Sequence, residues 1–330
     1  MTLPARLILR LALGGGAVII AANAAVAQSW PTRPVTMVVP YPAGGPLDAV
    51  ARILTSRMSE TLGQQIIIEN IGGAGGMTGS ARVAKAQPDG YQMLMGNSSA
   101  HSYNQTLYKK PLYNAATDFE PVALVARASK VLVARKDFPA NTLAEFIAYV
   151  KANQAKLHYG SAGAGSATHI TCVLLNSAIG VDVTHVPYRG AGPAMQDLIG
   201  GRIDYMCDVT STSLAHIEGG AIKPIAMLTL RRNETLPKLA TADEQGLKDF
   251  EVDLWNAIFL PKGTPAAIVR RLADVASEAL DNPVTRQRLA GLGLTIPPAT
   301  ERTPEHLAKL VPAEIEKWAG PIRAAGISAN

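Results

Sequence analysis

The chain has 330 residues, and its 31 basic and 26 acidic side chains give a formal net charge of +5. Arg6 and Arg10 lie in the first 27 residues, so the remainder carries only about +3. It contains no lysine- or arginine-rich cluster interleaved with aromatic residues, which argues against a nucleic-acid partner. A chain of this length favours two lobes over one.

The first 27 residues have the pattern of a secretory signal peptide. Arg6 and Arg10 form a short basic region, residues 11–22 are apolar and rich in glycine, and Ala25-Val26-Ala27 is a small-residue cleavage site. The segment is too short and too glycine-rich for a good spanning helix. We therefore expect an exported protein cleaved after Ala27. A buried N-terminal helix and a retained anchor are the alternatives.

From Val35 onward, short apolar runs alternate with amphipathic stretches. The runs predict strands at 35–39, 65–69, 92–95, 130–134, 157–160, 183–186, 205–208 and 224–228. The stretches between them predict helices at 46–62, 77–86, 142–153, 167–179, 191–200 and 213–218. After Lys262 the pattern becomes helical, with Thr264-Pro265 and Thr303-Pro304 as helix starts. This alternation predicts an α/β fold with largely parallel sheets covered by helices on both faces.

Two strand–loop–helix junctions share a chemistry that suits an anion. They are "VVPYPAGGPLDAV" (38–50) and "YGSAGAGSATHITCVLL" (159–175). Such junctions present backbone N–H groups at a helix N-terminus, and in α/β folds the loops gather beyond the carboxyl ends of the strands. Neither loop contains an arginine, and a carboxylate held by two helix N-termini needs none. We expect a cleft there.

Five residues of the first junction have predicted roles. Gly44 and Gly45 allow close approach of the backbone to a ligand, and Pro46 suits the first helical position. Asp48 falls in the first turn, where it either complements the helix dipole, fixes the loop or binds a polar part of the ligand. Tyr41 is too bulky for the tight turn, so we expect it to pack under the loop or to line the cleft.

Other site chemistries fit less well. The glycine-rich segments 72–76 and 160–166 lack the lysine and Ser/Thr of a P-loop, and Thr168 replaces the third glycine of a dinucleotide fingerprint. Ser166 and His169 are three residues apart, which leaves a Ser/His hydrolase as an alternative. The sequence around Ser166 nevertheless departs from G-x-S-x-G, and Ser166 fits a helix cap better. The six histidines form no H-x-x-x-H pair, so we predict neither metal nor cofactor.

Cys172 and Cys207 are the two cysteines of the chain. An even number of cysteines in an exported protein favours a disulfide. Two buried free thiols, each behaving as a small apolar residue, are the alternative.

Motifs along almost the whole chain, 29–327, resemble the substrate-binding proteins of tripartite tricarboxylate transporters, the Bug or TctC-like family. The matching stretches, in the family's order, are "WPTRPVTMVVPYPAGG..D" (30–48), "IIIENIGGAGGMTGS" (66–80), "QPDGYQMLMG" (87–96), "DFEPVALVA" (118–126), "GSAGAGSATH" (160–169), "HVPYRGAGPAMQDLIGGRIDYMCD" (185–208), "WNAIFLPKGTPAAIV" (255–269) and "IEKWAGPIRAAGI" (315–327).

The resemblance implies a two-lobed Venus-flytrap fold in which each lobe is a mostly parallel sheet flanked by helices. Residues 28–126 with about 247–330 would form one lobe, and about 127–246 the other. Crossing strands would join the lobes, which close on a small carboxylate. Some relatives carry both cysteines, so the resemblance also implies a bridge between Cys172 and Cys207.

Site residues follow from the same resemblance. Backbone N–H groups and bridging waters of the two loops would hold the proximal carboxylate, through Tyr41, Ala43, Gly44, Gly45 and Asp48 in the first loop and Ser161, Ala162, Gly163, Gly165, Ser166 and His169 in the second. The segments 96–104 and 207–213 would contact the distal part of the ligand, with Ser98, Asp208 and Thr210 as candidates.

The expected function is that of a periplasmic, monomeric solute-binding protein, not an enzyme, that delivers a carboxylate to the membrane subunits of the transporter. A ligand-sensing partner of a signalling receptor and a secreted hydrolase are the alternatives. Ligand identity stays open among dicarboxylates, aromatic carboxylates and amino acids. His101 and Val209 differ from the residues of many relatives in the region expected to determine ligand specificity. His101 and Tyr103 either stack on an aromatic ligand or form part of the cleft wall.

Overall fold

A computed structural model describes residues 30–252, 254–324, 326 and 328. The predicted signal peptide and its cleavage site lie outside these residues. Within the described part of the chain, no helix is both long and apolar enough to cross a membrane.

The first sheet has six strands in the order β11-β4-β10-β3-β1-β2. They are β1 (Val35–Val39), β2 (Ile66–Asn70), β3 (Gln92–Asn97), β4 (Phe119–Ala128), β10 (Leu254–Pro261) and β11 (Leu294–Thr295). The helices of this lobe are α1 (Pro46–Leu62), α2 (Met77–Ala84), α3 (Asn104–Leu107), α8 (Ala266–Asp281), α9 (Pro283–Gly291) and α10 (Pro304–Ala324).

The second sheet has five strands in the order β7-β6-β8-β5-β9. They are β5 (Lys130–Arg135), β6 (His158–Ser161), β7 (Thr184–Pro187), β8 (Tyr205–Val209) and β9 (Ile222–Met227). The helices α4 (Leu143–Asn153), α5 (Ala167–Ile179), α6 (Ala191–Ile199) and α7 (Thr210–Glu218) accompany it.

Both sheets are covered on both faces, which explains why their strands are apolar without a polar side. In β1, Val35 and Val39 pack in one core cluster, whereas Val38 packs in another on the opposite face. In β5, Leu132 and Val133 divide in the same way between two clusters of the second lobe. Successive strand residues point to opposite faces, so a sheet buried on both sides needs continuous apolar sequence.

The predicted α/β fold with two helix-flanked sheets is confirmed, but each sheet is mixed rather than mostly parallel. Strands β1 and β6 each pair in parallel with two neighbours. The remaining pairings, which involve β3, β4, β5, β8, β9, β10 and β11, are antiparallel. The cause is the connection between the lobes, because β4 passes through Ser129 alone into β5, and the chain returns from β9 to β10. The predicted lobe borders lie near these crossings and stay a prediction.

Two features tie α5 to its surroundings. The predicted disulfide between Cys172 and Cys207 is present and joins α5 to β8. On another side of the same helix, Ala167 and Ile170 pack in the core cluster of the first lobe. Helix α5 therefore contacts both lobes.

Candidate functional site

A cavity of about 250 Å³ lies where the loops of the two lobes meet. Its walls come from the loops that follow β1, β6 and β7, from the start of α7, and from ends of the strands β3, β4, β5 and β10. Ligand sites of small molecules are typically concave and lie at such junctions. A cavity of this size suits a small metabolite.

Four helices begin at this cavity. Leu47, Ala167, Gly192 and Ser211 line it, and they belong to the first turns of α1, α5, α6 and α7, respectively. First-turn N–H groups have no acceptor within their own helix, and the aligned peptide dipoles add partial positive charge at the same end. The convergence of four such ends favours an anionic ligand in this cavity.

Asp48 holds the first loop in place. It is almost fully buried and accepts hydrogen bonds from the Gly44 N–H (2.9 Å), Arg52 Nε (2.8 Å) and Asn70 Nδ2 (3.0 Å). Burial raises the pKa of this carboxyl group, but the hydrogen bonds from Arg52, Gly44 and Asn70 outweigh that effect, so the pKa lies below its usual value. Of the roles predicted for Asp48, these hydrogen bonds support fixation of the loop.

Gly44 adopts a left-handed backbone conformation with φ +79°, as its position in the loop requires. Its N–H is directed to Asp48, so Gly44 shapes the cavity wall. Tyr41 both lines the cavity and supports the loop, since its hydroxyl donates to the Gly75 carbonyl at 2.8 Å.

The second loop satisfies most of its own N–H groups. The N–H of Ala162 donates to Thr168 Oγ1 (2.8 Å), that of Gly163 to Ser161 Oγ (3.1 Å), and that of Gly165 to His169 Nδ1 (3.2 Å). The loop residues therefore set the shape of the wall, and α5 begins beside it, with Ala167 and Thr168 of its first turn in the cavity lining.

A stack of rings supports the second loop from behind. The rings of His169 and His185 lie 4.1 Å apart, and Tyr159 stacks on His185 at 4.8 Å. Ser161 Oγ and His185 Nε2 are 2.7 Å apart. Burial lowers the pKa of His169 to about 4, and burial together with the repulsion that a protonated His169 would exert lowers the pKa of His185 to about 3. Both imidazoles are therefore neutral at neutral pH.

Ser166 and His169 do not form a nucleophile–base pair. Ser166 Oγ accepts from the backbone N–H of His169 at 3.3 Å and contacts Thr168 Oγ1 at 3.0 Å. Ser166 therefore caps α5, as the sequence favours, and the imidazole of His169 accepts from the loop backbone instead.

The predicted proximal residues divide into two groups. Tyr41, Ala43, Gly44, Gly45, Ala162 and Ser166 line the cavity. Asp48, Ser161, Gly163, Gly165 and His169 lie outside its lining and support the loops through the hydrogen bonds described above.

The three candidates for the distal contacts are buried beside the cavity. Asp208 Oδ2 accepts from Ser213 Oγ at 2.8 Å, and burial raises its pKa; Thr210 Oγ1 donates to the Gly293 carbonyl at 3.1 Å. Ser98 is fully buried as well. The residues that line the cavity are their sequence neighbours Asn97, Val209 and Ser211. Asp208 and Val209 are successive residues of β8, so their side chains point to opposite faces of the sheet.

His101 and Tyr103 belong to the protein core rather than to the cavity. The His101 ring stacks on Phe259 with centroids 4.0 Å apart, and Tyr103 packs edge-on against Trp318 at 5.2 Å. Both side chains are fully buried, and burial lowers the pKa of His101 to about 3. The structure therefore offers no ring at these positions for an aromatic ligand.

Two cationic residues that line the cavity were not predicted from the sequence. Lys130, the first residue of β5, is fully buried and lines the cavity. Arg189 lies exposed in a third strand–loop–helix junction, "PYRGAGPAM" (187–195), which has the same chemistry as the other two. Two features of the sequence could have indicated these residues: a lysine at the start of an apolar strand, and this third junction.

The cavity is otherwise neutral, since no aspartate or glutamate of the described residues lines it. Within the described residues there is also no cluster of three His, Cys, Asp or Glu side chains placed to hold a metal ion. The electrostatics thus favour a ligand of negative charge.

Solved structures support the same interpretation of the fold. The chain resembles the periplasmic binding protein BugD, with a TM-score of 0.87 and 42% sequence identity over 91% of this chain and 100% of that one. It also resembles MatC from Rhodopseudomonas palustris with bound malate, with a TM-score of 0.86 and 42% identity over 89% of this chain and 100% of that one. The R. palustris protein Rpa4515 with adipate has a TM-score of 0.86 and 34% identity over 91% of this chain and 99% of that one.

The sequence family described as "Tripartite tricarboxylate transporter family receptor" matches residues 50–327. Its members among these structures are binding proteins, so the hydrolase alternative is set aside. The chain belongs to the tripartite tricarboxylate transporter receptor family, to which the Bug proteins also belong.

Proposed function

We propose that this protein is a periplasmic receptor that captures a small organic carboxylate in the cavity between its lobes and delivers it to the membrane subunits of a tripartite tricarboxylate transporter. The observation that carries the proposal is the convergence of four helix N-termini on one cavity without an acidic lining residue in the described chain. The malate and adipate bound by two solved relatives agree with this chemistry.

Ligand capture couples to closure of the lobes. The loops of the two lobes touch at Gly75 and Gly165, where a Cβ built on Gly75 would lie 2.8 Å from the Gly165 carbonyl carbon. Ser99 Oγ donates to the Gly165 carbonyl at 2.6 Å across the same contact. A ligand that contacts both lobes favours this closed arrangement over an open one, as in other hinge-closing receptors.

Export and oligomeric state belong to the same proposal. The basic, apolar and small-residue regions of the first 27 residues support export through a signal peptide cleaved after Ala27. The two lobes of the chain together supply a cavity lining, so ligand capture needs no second subunit, and we propose that the receptor acts as a monomer. N-terminal sequencing of the periplasmic protein and its mass by light scattering test these two points.

A thermal-shift panel of carboxylates tests the binding activity. A true ligand stabilises the folded protein by RT ln(1 + [L]/Kd), about 2.7 kcal/mol at a hundredfold excess over Kd. We expect a concentration-dependent rise in melting temperature for one or more di- or tricarboxylates, while matched uncharged amides give none. A panel without any such rise would contradict the proposal.

Uptake measurements test the transport role separately from binding. Deletion of the gene should abolish uptake of the radiolabelled ligand in the source organism, and re-expression should restore it. If uptake persisted while ligand-dependent gene expression was lost, the protein would instead serve a signalling receptor.

A further inference from the structure

Asn256 is a buried polar side chain in a strand whose other residues are apolar. It lies in β10, with the sequence "LWNAIFLP", and it lines the cavity with an exposed fraction of 3%. Its side chain forms no hydrogen bond with any residue that the structure describes. Buried polar groups of folded proteins normally have a hydrogen-bond partner, so the amide of Asn256 calls for an explanation.

The strand directs this side chain to the cavity. Trp255 and Ala257, the neighbours of Asn256 in β10, pack in a core cluster on one face of the sheet. Leu254 packs in the cluster on the other face and also lines the cavity. Because side chains alternate along a strand, Asn256 shares the face of Leu254. The protein encloses the Ser98 hydroxyl completely, whereas the Asn256 amide has access to the cavity.

Asn97 is the polar neighbour of Asn256 and already has a partner of its own. It is paired in register with Asn256 across β3 and β10 and lines the same cavity. Side chains that lie directly opposite each other in an antiparallel pair share one face of the sheet. The amide oxygen of Asn97 accepts the Ala100 N–H at 3.0 Å, which fixes its orientation. Of the two facing amides, that of Asn256 is therefore the one left for a ligand.

The cavity is rich in donors and poor in acceptors. Helix N–H groups and the cationic side chains of its lining can only donate hydrogen bonds. The side-chain oxygens of Tyr41, Ser166 and Thr168 also line it, but each has a hydrogen-bond partner in the protein. Asn256 adds an amide carbonyl for which the described residues supply no donor. A plain carboxylate offers acceptors alone and would leave this carbonyl unpaired.

We propose that Asn256 accepts a hydrogen bond from a donor substituent of the ligand, a hydroxyl or an amino group, and thereby selects substituted carboxylates over their unsubstituted analogues. This inference rests on the proposed function, in which the carboxylate faces the helix N-termini. A site with a buried acceptor rejects an analogue that lacks the matching donor, because the acceptor then stays unpaired. Asn256 is then a specificity residue, whereas the four helix ends serve any small carboxylate.

Isothermal titration of the purified protein with ligands that differ in one substituent tests the proposal. The sets are L-malate and L-aspartate against succinate, 2-hydroxyadipate and 2-aminoadipate against adipate, and citrate against tricarballylate. An acceptor left unpaired corresponds to a preference of about 5- to 150-fold for the substituted ligand. We expect this preference in the wild type and its loss in Asn256→Leu, which removes the amide at similar size. A preference confined to hydroxy acids identifies a hydroxyl, and one confined to amino acids an amino group.

Asn176→Leu is the matched control. Asn176 is likewise a buried asparagine, but it lies outside the cavity lining and accepts from the Tyr205 hydroxyl at 2.8 Å. This variant should lower the melting temperature without changing the preference among ligands. Asn256→Leu breaks no hydrogen bond within the described protein, so the unliganded variant should melt no lower than the wild type. A purely structural role for Asn256 would instead lower its melting temperature and leave the preference unchanged.

Each result bears on a different claim. A wild-type protein that binds the unsubstituted ligand as tightly as the substituted ones, or more tightly, overturns the role of Asn256 while leaving the receptor function intact, and needs no variant. An unchanged preference in Asn256→Leu overturns it as well. If the wild type binds no carboxylate at all, the proposed function itself fails.

Discussion

Substitution of Gly75 by alanine isolates lobe closure from ligand contact, because Gly75 does not line the cavity. A Cβ at this position would lie 2.8 Å from the carbonyl carbon and 2.9 Å from the carbonyl oxygen of Gly165, in the other lobe. Ordinary van der Waals contact begins at about 3.4 Å, so backbone atoms on the two sides must separate. Under the proposed closure of the lobes, this clash would arise in the closed state and be relieved in the open one.

Overpacking of this kind typically costs about 1–3 kcal/mol, which here penalises the closed state alone and corresponds to about 5- to 150-fold weaker ligand binding. Gly75 also has φ +61°, so alanine adds backbone strain in both states. Gly63→Ala is the matched control, since Gly63 has φ +69° and a Cβ there meets nothing within 4 Å.

Titration calorimetry with a carboxylate ligand, together with the radius of gyration from solution scattering, measures the effect. Gly75→Ala should bind more weakly and stay more extended at a given ligand concentration, whereas Gly63→Ala should lose only stability. Wild-type affinity in Gly75→Ala would refute the reasoning that the two loops must touch when ligand binds.

Three further predictions concern the supports of the site. Asp48→Ala removes the acceptor for Gly44, Arg52 and Asn70, so we expect the free energy of unfolding to fall by about 2–3 kcal/mol in urea titrations, and ligand affinity to fall as the loop loosens. Gly163→Val places a branched side chain at φ +117° with Cβ 3.1 Å from the Tyr188 carbonyl, and should weaken binding at least about tenfold; retained affinity would contradict the two-loop site. The buried His101 has its pKa lowered to about 3, so between about pH 6.5 and 3 the unfolded chain binds a proton that the folded chain does not. The free energy of unfolding should therefore decrease as the pH is lowered through that window. In His101→Phe this decrease should be shallower than in the wild type.

Much of the fold could be predicted from local patterns in the sequence. The predicted helices at 46–62 and 167–179 have the observed bounds, because Pro46 and the Ser166 cap mark where they begin, while Gly63 and Gly180 end them. The strand predicted at 35–39 is likewise correct.

The strands that cross between the lobes could not be predicted from local patterns. Neither β4 nor β10 appeared among the predicted strands, although both are long and apolar. Their antiparallel pairing depends on where the chain crosses from one lobe to the other, and periodicity carries no information on that crossing. The predicted mostly parallel sheets failed for the same reason.

The loops that build the site from backbone groups could be predicted from the sequence. The side chains that line the cavity could be predicted less well. Glycine and proline at the strand–helix junctions identified the loops after β1 and β6. Lys130 was missed because a lysine within an apolar strand gives no sign of which face it occupies. Asn97, Val209 and Ser211 line the cavity one residue away from the candidates Ser98, Asp208 and Thr210. Of these pairs, Asp208 and Val209 lie in a strand, where successive side chains point to opposite faces.

A crystal structure of the protein with a dicarboxylate from the thermal-shift panel tests the central claim most directly. The account predicts one carboxylate within hydrogen-bonding distance of first-turn N–H groups such as those of Leu47 and Ala167. A carboxylate bound elsewhere in the molecule, or turned away from these helix N-termini within the cavity, would contradict it.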